Sequence, residues 1–305
     1  MNADVYPVSA LSDGSLPPLS DYGRRLLAEG DSWFTLGTLK LAKASNLLIE
    51  QQFGPSTAIV SCAYPGDTLQ HVVDGINDVD FDRVLREPNF ARWWEAILVS
   101  AGGNDLIDAA GQRAVNADGS PAPLAARLLL TQAEAATVNA GVSGPLRYIS
   151  EAGWTELANY LRLNFGQLVE RRDQGPSAGR PIVVHTYSVP VVRPSGTVGA
   201  SEGWLFPAFR DYGIPAADSQ AVAEELFERL RLLLLGLDSA SGQIHALPHF
   251  HTFDSAQLVN LTPASPQSTG NSGDWINEIH PSRNGYRKIG KVMGAWIDTL
   301  LTTYP

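Results

Sequence analysis

The sequence predicts an α/β fold: a five-stranded parallel sheet between helices, in one domain spanning residues 1–305. Two observations carry this expectation. Short apolar runs of strand character alternate with longer amphipathic segments, which is the pattern of a parallel sheet covered by helices. The composition, 44% hydrophobic and 18% charged residues, is that of an ordinary globular chain.

The first strand reads from residue 25 to 29. A helix follows in which Leu36, Leu39, Ala44 and Leu47 share one face, ending near Gly54-Pro55. The second strand is 57–63 and the third 96–101. A helix rich in Leu and Tyr covers 154–171, a fourth strand 181–187, a further helix 221–235, a fifth strand within 243–253 and a last helix 282–301. Two segments break the alternation, about 109–150 and 194–217, and are expected to be inserted. The second holds Trp204, Phe206, Phe209 and Tyr212 among glycines and prolines, too many aromatics for disorder.

Composition narrows the partners. A formal charge of −10 and a pI near 5.0 argue against nucleic acid or an anionic membrane surface held by bulk attraction. The longest apolar run, 232–235 with Leu237 beyond Gly236, is too short to span a bilayer. Cys62 is the only cysteine, so no intrachain disulfide can form; in its apolar run it reads as a small buried residue. The first twenty residues have no basic start and no apolar stretch, which predicts no secretory signal and a cytoplasmic location.

Chemistry concentrates in four blocks. Gly30-Asp31-Ser32-Trp33 stands just after the first strand, so a hydroxyl is held above the end of the sheet near helix amides that favour negative charge. Pro65-Gly66-Asp67-Thr68 follows the second strand and Gly102-Gly103-Asn104-Asp105 the third. Asn277-Glu278-Ile279-His280-Pro281 lies near the C-terminus. Each block has a plainer use. A serine before a helix commonly caps it, an Asn after glycines suits a turn, Gly66 permits a tight turn, and Asp31 and Asp105 can brace their turns.

The four together, in this order from position 30 to 281, resemble the GDSL/SGNH family of serine hydrolases. Trp33 stands where that family usually has Leu. The resemblance implies a flavodoxin-like three-layer sandwich with strand order 2-1-3-4-5. Ser32 and Asn104, 72 residues apart, would then face one crevice at the topological switch. It also implies roles: Ser32 as nucleophile, His280 as base, and an oxyanion hole made by the Ser32 and Gly66 N–H groups and the Asn104 amide. No metal or organic cofactor is expected.

The family's aspartate three residues before the histidine is Asn277 here. An amide oxygen can still orient an imidazole. Asn277 is favoured by position, with Asp274, Glu278 and a backbone carbonyl as alternatives. Gly175-Pro176-Ser177-Ala178-Gly179 matches a nucleophile elbow literally, but a helix precedes it and a strand follows, the reverse of what the elbow needs. Residues 285–291 imitate a phosphate loop inside an expected helix, and His245, His249 and His251 lack a recognised metal-ligand spacing.

The expected function is hydrolysis of small or medium carboxylic esters through an acyl-serine, with Trp204 and Phe206 contacting substrate. Carbohydrate deacetylation, lysophospholipid or thioester hydrolysis, or silent binding of a glycan or acyl ligand are alternatives on the same fold.

Overall fold

The structure, a computed structural model, describes residues 1–35, 45–76, 78–197 and 200–304. Its centre is a parallel sheet of six strands: β1 (Asp4–Pro7), β2 (Arg24–Gly30), β3 (Thr57–Ser61), β4 (Ala96–Ser100), β5 (Ile182–His185) and β6 (Phe250–Phe253). The order is β1-β3-β2-β4-β5-β6, every pair parallel. Strands β3-β2-β4-β5-β6 reproduce the 2-1-3-4-5 arrangement. The count of five is corrected to six, because β1 adds to the outer edge of β3. That strand has four residues, half exposed, and ends on a proline, which an edge tolerates.

Parallel strands covered on both faces must be apolar throughout, and these are. Ala96, Ile97, Leu98 and Val99 of β4 are fully buried, as are Leu26, Leu27 and Ala28 of β2. The fifth predicted strand shrinks to Phe250–Phe253, since the residues before it turn and His249 takes a left-handed φ of 55°.

Six helices matter for the site: α1 (Ser32–Thr35), α2 (Gly103–Gly111), α3 (Glu151–Arg172), α4 (Leu205–Asp211), α5 (Ala216–Leu237) and α6 (Arg283–Leu301). The expected helical face on Leu36, Leu39 and Ala44 lies outside the described residues, while Leu47 begins a one-turn helix, Leu47–Glu50. Helix α6 packs on that turn, with Gly290 and Gly294 against the backbone of residues 50–52. It starts where Ser282 accepts the Gly285 N–H, two residues after His280. Helix α3, capped by Ser150, packs against Leu69–Val73 and Val79–Arg86.

The 109–150 segment forms short helical turns and the helix Gln132–Val138, closed by a Thr131–Glu134 capping box. The 194–217 segment contains α4. No helix among the described residues is long and apolar enough to cross a membrane.

Candidate active site

β2 and β4 are adjacent, with Gly30 paired to Ser100 at their ends. Gly30 has φ of +141°, and a Cβ there would run into the Ser100 carbonyl, so the approach of the two strands depends on glycine. Ser32 follows directly at the first position of α1, and Asn104 is the second residue of α2 after β4. Both line one cleft with Ile107, Tyr187, Phe227 and Ile279.

His280 arrives from the other end of the chain. Its Nε2 lies 2.7 Å from Ser32 Oγ, with both residues buried. Its Nδ1 lies 3.0 Å from Asn277 Oδ1, which also receives the N–H groups of Ile279 (3.2 Å) and His280 (2.9 Å). Two backbone donors converge on that atom, so it is the amide oxygen and can only accept. His280 therefore carries its hydrogen on Nδ1, and Nε2 is left bare, facing Ser32 Oγ. The imidazole is held well below its ordinary 6.5, at about 4, by burial. The Trp204 ring stands edge-to-face on it with centroids 5.4 Å apart.

The other two groups near His280 do different work. Asp274 is bound to Lys288, Asn284 and the Thr262 N–H. Glu278 turns away from the imidazole, and its fully buried carboxylate receives the N–H groups of Arg193, Trp204, Leu205 and Phe206. Burial raises its pKa, opposed by those four donors. Thus Glu278 fixes the turn that places Trp204 and Phe206. Gly203 makes room for it: φ is +91°, and a Cβ there would sit 2.5 Å from Glu278 Oε2. Gly203→Ala is expected to destabilise the fold by about 1–3 kcal/mol, read as a lower denaturant midpoint with unchanged m-value.

Arg193 completes the support. Fully buried, it donates to the carbonyls of Asn277 (2.6 Å), Ser268 (2.9 Å) and Gly270 (2.7 Å). No sequence signal marks it, because an arginine is normally exposed and only the packed loop supplies its acceptors.

Gly66 has φ of +90° at an exposed turn after β3. Neither its N–H nor that of Ser32 has a partner among the described residues. The Asn104 amide donates to the Asp67 carbonyl at 2.9 Å, one residue beyond Gly66, which leaves its second hydrogen free. Asp105 binds the same loop from the other side, receiving the Leu69 N–H and the Tyr160 hydroxyl. Trp33 stacks on His185 at 5.3 Å and meets Tyr187 and Tyr286 edge-on. Ser177, the decoy serine, is buried and donates to the Leu85 carbonyl.

No family model matches this sequence, and no curated protein matches it. Solved structures do. A lipase from a goat rumen metagenome is 12% identical with a TM-score of 0.46, over 89% of this chain and 96% of that one. An extracellular lipase from Streptomyces rimosus is 15% identical with a TM-score of 0.44, over 88% and 98%. A carbohydrate acetylesterase from Sinorhizobium meliloti is 12% identical with a TM-score of 0.39, over 91% and 99%. The chain is similar to these ester hydrolases. At such identities the likeness names no substrate.

Proposed function

We propose that the protein hydrolyses carboxylic esters of small or medium acyl groups through an acyl-serine on Ser32. One observation carries the reading: Ser32 Oγ, His280 Nε2 and Asn277 Oδ1 form a continuous hydrogen-bonded line through one buried imidazole. An N-cap serine would need no such partner.

In the first half-reaction Ser32 Oγ attacks the ester carbonyl carbon as its proton passes to His280 Nε2. The carbonyl oxygen becomes an oxyanion facing the Ser32 and Gly66 N–H groups and the spare Asn104 hydrogen. His280 then gives its proton to the departing alkoxide. Water repeats the sequence on the acyl-enzyme, releasing the acid and restoring the serine. We assign the acyl group to the side of Ile107, Tyr187, Pro190, Phe227 and Ile279, which line the cleft beside Ser32, and the leaving alcohol to the side of Trp204, whose ring meets His280 edge-on. Neither step calls for a cofactor.

A fluorophosphonate probe tests the reading: stoichiometric labelling of Ser32 is expected, and an unlabelled serine in folded protein would overturn it. The pH profile is a second check. An imidazole acts as base only when neutral, so a value lowered to about 4 extends activity to acid pH. The acid limb of kcat/KM is expected near pH 4, not at an ordinary histidine's 6.5.

A further inference from the structure

Beneath Ser32 runs a buried line of polar side chains that the reaction above does not use. Asp31 Oδ1 lies 3.0 Å from the Trp33 N–H and 2.7 Å from Ser100 Oγ, and Oδ2 lies 2.6 Å from the Tyr187 hydroxyl. Ser100 Oγ is also 2.9 Å from His185 Nε2, while His185 Nδ1 is 2.9 Å from the Thr186 carbonyl. All four side chains are buried.

The Thr186 carbonyl can only accept, so Nδ1 carries the His185 hydrogen and Nε2 is bare. The Trp33 N–H and the Tyr187 O–H serve their own contacts to Asp31. Two contacts remain, Ser100 to Asp31 and Ser100 to His185, with a single hydroxyl hydrogen between them. A second is required. The longer 3.2 Å approach of Ser100 to Tyr187 cannot supply it, since that hydrogen points to Asp31.

We propose that Asp31 is a protonated carboxylic acid, donating from Oδ1 to Ser100 Oγ, which in turn donates to His185 Nε2, and that it is a positioning residue for the nucleophile. Placing the proton on His185 instead would leave a separated ion pair in the interior, the costlier arrangement. Burial pushes in the same direction, raising the Asp31 pKa to about 6 and lowering that of His185 to about 4. Among the described residues, the other titratable groups facing Asp31 are Tyr187 after β5, Asp105 on α2 and Tyr286 on α6, and none of these is a cation. A neutral acid matters because negative charge develops one residue away during attack. An ionised Asp31 would oppose it, whereas the acid holds the Trp33 N–H and the loop without that penalty. This consequence rests on Ser32 being the nucleophile; the proton itself does not.

The experiment is an infrared difference spectrum of the whole protein, wild type minus Asp31→Asn. A protonated-carboxyl C=O band belonging to Asp31 is expected, disappearing as pH rises, and its absence would overturn the proposal whatever the enzyme does. Ser100→Ala removes the acceptor of that proton, so the band should then vanish at lower pH; an unmoved band would also overturn the proposal. The rate of ester hydrolysis by the wild type is expected to fall along the band's pH limb. The Asp31→Asn protein should lack that limb while keeping kcat within about tenfold, having lost one N–H contact at most. Loss comparable to removing Ser32, in folded protein, would mean that the carboxylate's charge is needed.

Discussion

Ser32→Ala is expected to lower kcat by about 10⁶-fold with little change in thermal stability. The alanine removes the attacking oxygen; Ser177 is buried and committed to the Leu85 carbonyl, and Cys62 has its thiol pushed up by burial. Residual turnover of ~10³–10⁴ over water would persist, since the oxyanion donors and the cleft survive the change. Progress curves on an activated ester, with near-ultraviolet dichroism as the test of folding, measure both sides. Activity near the wild-type level would refute the acyl-serine route.

The second large effect is expected at Asn277. Asn277→Ala deletes the acceptor of three hydrogens, two from backbone and one from the imidazole. Without it nothing fixes the hydrogen on Nδ1, and a hydrogen on Nε2 cannot receive the serine proton. A fall of about 10²–10⁴-fold in kcat with a nearly constant KM is the expected outcome. Asn277→Asp supplies the same acceptor with a charge, so activity should return to within about tenfold of wild type. The carboxylate also favours imidazolium, so the acid limb should move to higher pH, a displacement that a merely structural asparagine would not produce. A near-normal alanine variant would shift the orienting role elsewhere.

How much of this was legible in the chain follows from burial. Strands β2 to β5 were readable because a strand covered on both faces must be apolar along its length, as Ala58-Ile59-Val60 and Ile97-Leu98-Val99 are. The edge strand Asp4–Pro7 was not, since four half-exposed residues carry no such pattern. Ser32, Gly66, Asn104 and His280 stand out because each interrupts a local pattern with a residue type the chemistry needs. His185 and Arg193 carry no local mark; Glu278 stands out only as a neighbour of His280, and all three become meaningful only when a distant loop brings their partners. Asn277 could be found by its spacing from His280, but its choice over Asp274 and Glu278 needed the three hydrogen bonds on its side-chain oxygen.

The four backbone N–H groups gathered on Glu278 have a consequence for engineering. Residues 277, 278 and 280 are neighbours in sequence, so the wall carrying Trp204 and the base are bolted to the same short segment. If the protein works as proposed, substrate range and proton transfer are therefore not separable modules. A grafted 194–217 segment that lacked amides for Glu278 would leave a buried carboxylate with only the Arg193 N–H and slacken the histidine with it. Loop exchange aimed at a new substrate should carry both segments together, or retain residues 203–206 as the fixed hinge of the graft.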